Sequence, residues 1–189
     1  MDRDLAEQHR RACDDASRRI ALVGDKQWGL PTPCTEWDVQ ALVAHLVSGT
    51  SWVAPLVEGM TIAEVGDRFN GDLLGDDPKG AWRRAAAAAV AACDAAVGMD
   101  ATVHLSFGDT TAADYVGERV LDLAMHAWDL ARAIGADESL DPVVVEGASK
   151  VLAEKADLWR SAGALGPAIE TEPGADAQTE LLAVSGRRV

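Results

Sequence analysis

Apolar residues recurring at a helical period, punctuated by glycine and proline, dominate this sequence and favour a fold of helix packed on helix. The clearest case precedes Gly135, where Val116, Val120, Leu123, Ala127, Leu130 and Ile134 form one stripe. Thr110 or Thr111 suits the N-cap of that helix and Gly135 its stop. A first helix is expected from about Asp4 to Val23, ended by Gly24 and Asp25. Pro31 and Pro33 make a loop of Leu30 to Glu36, after which Thr35 reads as an N-cap. The helix that follows should reach about Val57, with Pro55 bending or ending it. Glu58 to Lys79 reads as a Gly- and Asp-rich connection with room for a short helical turn. Trp82 to Val97 is an alanine helix closed by Gly98, and Pro142 to Arg160 is another, begun by its proline. Residues 163–174 read as irregular, with a last short helix from Ala177 to Ser185. One isolated strand is expected within Ala101 to Gly108, where Val103, Leu105 and Phe107 alternate with polar residues. The chain is therefore expected to be all-α, a helical bundle with small additional helices and one short strand.

The 189 residues suit one domain spanning 1–189, since no repeat or low-complexity linker divides them. Asp plus Glu total 31 against 17 Lys plus Arg, and the net charge of -14 repels phosphate backbones, so nucleic acid is not an expected partner. Cys13, Cys34 and Cys93 are scattered, with neither a disulfide framework nor Cys-His zinc spacing. The start lacks an apolar signal core, and the uncharged run Val39 to Val57 is interrupted by His45, Ser48, Gly49 and Pro55. Neither a membrane span nor secretion is expected; the expected compartment is the cytoplasm, as monomer or homodimer.

Asp122 and His126 lie four residues apart, one helical turn, and so leave the same face of their helix. Measured from His126, the apolar stripe spans about 40° to 120°, with Asp122 near about -40° and Asp129 near about -60°. His45 borders the apolar face formed by Leu42, Leu46, Gly49 and Val53, and Trp52 is placed to roof it. Two inward histidines on separate helices plus a carboxylate would give a divalent cation three ligands and leave one position open. Spacing alone leaves the other reading standing, because an inward histidine is more often a hydrogen-bonded core residue. Asp129 either orients a histidine or pins its helix to a neighbour; Glu118 is a reserve ligand and Asp38 a first-turn acid. Cys34 and Cys93 read as packing residues, His9 as surface, and His104 as rim or solvent-facing. Trp28, Trp82, Trp128 and Trp159 read as packing anchors.

Three stretches carry a resemblance: Pro31-Thr32-Pro33-Cys34 running through Trp37, Val39 and His45 to Leu46; His126-Ala127-Trp128-Asp129 through Ala133; and Gly166 to Glu170. Together they resemble the DinB-like superfamily, specifically the actinobacterial group related to the N-terminal domain of mycothiol-dependent maleylpyruvate isomerase. The resemblance implies a four-helix bundle holding a divalent metal, zinc or nickel, through His45, Asp122 and His126. The acid is usually Glu in isomerase-like members; Asp122 is shorter by about 1.5 Å. The isomerase also carries a C-terminal domain for which this sequence leaves no room, so isomerisation of maleylpyruvate itself is not expected.

The expected function is that of a metal-dependent transferase or isomerase-like enzyme, with mycothiol or another low-molecular-weight thiol and a small-molecule electrophile as partners. Such a site would generate thiolate at neutral pH. Two alternatives stand beside it: a hydrolase using metal-bound water, and a non-catalytic metal-binding or stress-response bundle.

Overall fold

The computed structural model describes residues 1, 3–97, 101–163 and 165–189. Its longer helices are α1 (Arg3–Leu22), α2 (Val39–Ser51), α5 (Pro78–Ala95), α6 (Ala112–Ile134) and α7 (Pro142–Ser161). Shorter ones are α3 (Val53–Val57), α4 (Ile62–Val65) and α8 (Ala177–Val184). α1 packs on α5, α5 on α2, α2 on α6, and α6 back on α1, which closes a four-helix bundle. α7 lies outside this ring against α6 and α1, and α8 rests on α7. The mostly α-helical class expected from the sequence is the class observed.

The boundaries follow from local chemistry. Thr111 caps α6 by accepting the N–H of Asp114, and Gly135 ends it in the left-handed conformation at φ 69°. Asp77 and Asp141 cap α5 and α7, each followed by a proline whose missing N–H costs the first turn nothing. Gly98, expected to close α5, lies outside the described residues.

Three expectations about the helices and strand differ from the structure. The cap of α2 is Asp38, accepting the N–H of Ala41 at 2.8 Å, and not Thr35. The break after α2 falls at Trp52 rather than Pro55, because Pro55 sits in the first turn of α3, where no helical N–H is required. The strand is also not isolated: β1 (Thr102–Leu105) pairs antiparallel with β2 (Gly108–Thr111) in a hairpin leading into α6. By length and composition Val39–Val57 could cross a bilayer, but half of it is buried within the bundle.

The main core brings Leu42 and Leu46 of α2 together with Trp82, Leu123, Leu130 and Leu152. A second cluster joins Val53, Leu56, Cys93, Val103 and Val116 around the hairpin. Within α1 the core is partly polar. Asp15 is fully buried, accepts the backbone N–H of Asp141 at 2.9 Å, and so joins α1 to the start of α7. His9, expected at the surface, is fully buried, because α1 is covered by α5, α6 and α7. Its Nε2 lies 3.8 Å from the Cys13 sulfur.

Burial and the nearby Arg119 lower the His9 pKa from 6.5 to about 4. The unfolded chain therefore takes up a proton in that interval that the folded chain refuses. Stability is fully present above pH 6.5 and is lost as pH falls toward 4. His9→Leu should remove that loss. Urea unfolding at several pH values should show the wild type losing about 3 kcal/mol more than the variant across the interval.

Candidate metal centre

The loop before α2 places two side chains of the site. The Thr32 hydroxyl donates to the Trp37 carbonyl at 2.9 Å and accepts the Cys34 N–H at 3.1 Å, while the Trp37 N–H reaches back to the Cys34 carbonyl at 2.8 Å. This tight turn lays the Trp37 ring against His45, with centroids 4.7 Å apart, and near His126 at 5.6 Å. It also turns the Cys34 sulfur toward α6. Trp37 thus covers the site in the manner expected of Trp52, whose ring instead meets Phe69 at 5.3 Å.

His45 projects from the middle of α2, with Leu42 and Leu46 buried beside it. Asp122 and His126 project from successive turns of α6, and the two imidazoles meet edge to face at 4.8 Å. Asp122 Oδ1 lies 3.2 Å from His45 Nε2 and 3.5 Å from His126 Nε2. The sequence-predicted trio is therefore one cluster, its donor atoms all within 4.8 Å of one another. These separations suit a cation. Ligand atoms about 2.0–2.1 Å from a tetrahedral ion stand about 3.3 Å apart.

The polar surroundings fix each member. Arg119, one turn before Asp122, places Nη1 3.4 Å from Asp122 Oδ2. It passes over Gly49, where an added Cβ would stand 2.8 Å from that nitrogen. Burial alone would push the Asp122 carboxyl up, but Arg119 and the His45 hydrogen bond hold it well below the usual carboxylate range. Asp122 is therefore ionised at neutral pH. On the far side of its ring, His126 Nδ1 lies 3.0 Å from Oδ2 of the fully buried Asp129. An ionised carboxylate only accepts, so Nδ1 carries the proton and the Nε2 lone pair faces the cluster. Asp129 thus makes the histidine contact that the orienting reading requires, and its bond to Arg187 also pins α6 to a neighbouring segment.

A second set, Cys34, His126 and Asp129, also lies close together, but its donors are already committed. Arg187 binds both oxygens of Asp129, at 2.9 and 2.7 Å, and the Cys34 sulfur donates to Oδ2 at 3.3 Å. Burial, then Asp129, pushes the Cys34 thiol up to about 12, so it stays protonated at neutral pH. A cation there would face a guanidinium and an uncharged thiol, and the trio around Asp122 is the better fit.

The other candidates are accounted for. Glu118 pairs with Lys155 at 2.6 Å and Asp38 serves as the cap of α2. His104 bonds Asp109 at 2.8 Å across the exposed hairpin. Cys93 is core, as expected. Arg119 stands three residues before Asp122 on α6, a helical spacing that could have signalled the pair. Arg187 carried no local sequence signal, and its partnership appears only once the chain is folded.

A cavity of about 660 Å³ opens on the trio. Trp37, the trio and Arg119 form its polar part; Leu121, Met125, Leu152 and Trp159 form an apolar wall. Two histidines and a carboxylate on facing helices, beneath a pocket of organic-ligand size, form a candidate metal site of the kind helical bundles build in their cores. Residues 9–131 match the mycothiol maleylpyruvate isomerase N-terminal domain family, and the chain belongs to that family. It is also similar to uncharacterized proteins from two strains of Mycobacterium tuberculosis, each 35% identical over 138 residues, covering 71% of this chain and 69% of the relative. No solved structure gives a significant match.

Arg119→Met should release the Asp122 carboxyl from its main stabilising charge. In metal-free protein, carboxyl carbon NMR should show its titration midpoint rising by about one to three pH units. An unmoved midpoint would show that Arg119 does not hold the carboxylate.

Proposed function

We propose that this protein is a divalent-metal-dependent enzyme of the cytoplasm that joins a low-molecular-weight thiol, mycothiol, to a small electrophile in a transferase or isomerase-like reaction. His45, Asp122 and His126 are the metal ligands in this reading. The observation that carries it is the donor triangle, in which Asp122 Oδ1 stands 3.2 and 3.5 Å from two imidazole nitrogens on a wall of the cavity. Family membership supports the thiol.

A bound divalent cation supplies positive charge that favours thiolate over thiol at neutral pH. The chain's own residues do the remainder. Asp122, kept ionised by Arg119, offsets part of the cation's charge. Asp129 holds the Nδ1 proton of His126 and keeps its Nε2 directed inward. Trp37 excludes water from one side of the imidazoles, and the wall of Leu121, Met125, Leu152 and Trp159 packs the organic body of a substrate. Zinc is the first choice of ion for two nitrogens and one oxygen, and nickel the second.

The protein should bind one zinc or nickel per chain. His45→Ala and His126→Ala should each weaken that binding by more than about 100-fold, since loss of a mere supporting residue already costs about 10- to 100-fold. Consumption of electrophilic substrates should require added thiol. Turnover that proceeds equally without thiol would instead identify a hydrolase, and failure of the wild type to retain any divalent ion would overturn the enzyme reading.

A further inference from the structure

Arg187 lies beyond the family-matched residues 9–131, in the segment that follows α8, yet its side chain reaches Asp129 on α6 and lines the cavity. It is 15% exposed, while the carboxylate it meets is fully buried. Nε donates to Asp129 Oδ1 at 2.9 Å and Nη2 to Oδ2 at 2.7 Å, a two-point fork that fixes the carboxylate plane. The same Oδ2 accepts from His126 Nδ1 at 3.0 Å. Arginine, carboxylate and imidazole thus form one line running from the segment after α8 to the donor triangle.

We propose that Arg187 is a positioning residue for His126, acting through Asp129 to keep the Nδ1 proton in place and Nε2 aimed at the cation. This rests on the metal-binding reading above and extends it to a part of the chain outside the matched family region.

The segment is built to hold that position. Gly186 turns the chain at φ 85°, and a Cβ there would meet the Pro167 carbonyl at 3.1 Å. The backbone N–H of Arg187 bonds the Leu182 carbonyl at 2.8 Å. Arg160 of α7 donates to the Val184 carbonyl at 2.6 Å, and Arg132 of α6 to that of Arg188 at 2.9 Å. Arg132 in turn lies over the Trp128 ring at 4.6 Å. α7 therefore holds the end of α8, and α6 holds the segment that follows it.

Without the guanidinium, Asp129 would remain buried with only His126 and a thiol as donors, and nothing would fix its plane. The imidazole would then be free to exchange tautomers, and part of the population would present an N–H where the cation needs a lone pair.

The test compares wild type, Arg187→Ala, Arg187→Lys and His45→Ala. Zinc affinity is measured by competition with a chromophoric chelator, and the His126 tautomer in metal-free protein by imidazole nitrogen NMR. Arg187→Ala should bind zinc about 10- to 100-fold more weakly than wild type and show mixed tautomers in place of a single Nδ1–H form. Arg187→Lys, which keeps the charge but not the fork, should fall between the two. If Arg187→Ala does not fold, the lysine variant decides: reduced affinity with mixed tautomers supports the proposal, and wild-type behaviour in both overturns it. Wild-type affinity and a single tautomer in a folded Arg187→Ala variant also overturn it. Should wild type bind zinc no better than His45→Ala, the metal reading fails, while the metal-free tautomer measurement still decides the role of Arg187.

Discussion

The two ring nitrogens of His126 face opposite ways, and the organisation of the site depends on that division. Nδ1 is tied at 3.0 Å to a carboxylate with no solvent exposure, while Nε2 faces Asp122 Oδ1 at 3.5 Å. The first contact makes the second useful, because a neutral imidazole has one donor and one acceptor and the buried carboxylate claims the donor. His45 then meets the same Asp122 oxygen from α2. The cluster is thus assembled from α2 and α6, two adjoining members of the four-helix ring.

Around this centre charge is compensated in pairs. Arg187 stands against the buried Asp129 and Arg119 against the partly buried Asp122, so neither carboxylate lacks a counter-charge. The pairings do different work. Arg119 approaches the carboxylate that belongs to the donor triangle, and Gly49 leaves the space it passes through. Arg187 acts one residue further out, through Asp129. The apolar wall of the cavity comes from the inner surfaces of α6 and α7, so the packing that stabilises the bundle also shapes the pocket.

Much of this was legible in the sequence. Helix α6 could be placed to within one residue because a threonine N-cap, Thr110 or Thr111, and a left-handed glycine bound a clean apolar stripe. The inward direction of His45 followed from its neighbours Leu42 and Leu46, and the shared face of Asp122 and His126 from helical spacing. Misreadings arose where tertiary contact decides. Thr35 looked like a cap, but the loop pairs Pro31 with Asp38 in an isolated bridge and delays the helix until Asp38 can cap it. Trp52 looked like the roof because α2 and α3 were read as one helix; the break at Trp52 leaves Trp37 to cover the imidazoles. His9 looked exposed because α1 is rich in charge, and only its three helical neighbours bury it. The contact between Asp129 and Arg187 spans 58 residues and has no local signature.

X-ray absorption at the zinc edge of the zinc-loaded protein tests the central claim most directly, because it reads the ligand atoms themselves. The account predicts two imidazole nitrogens and carboxylate or solvent oxygen at about 2.0–2.2 Å, with no sulfur. A sulfur at about 2.3 Å would place the ion with Cys34 on the other side of His126, and a shell without imidazole would remove the ion from this cluster altogether.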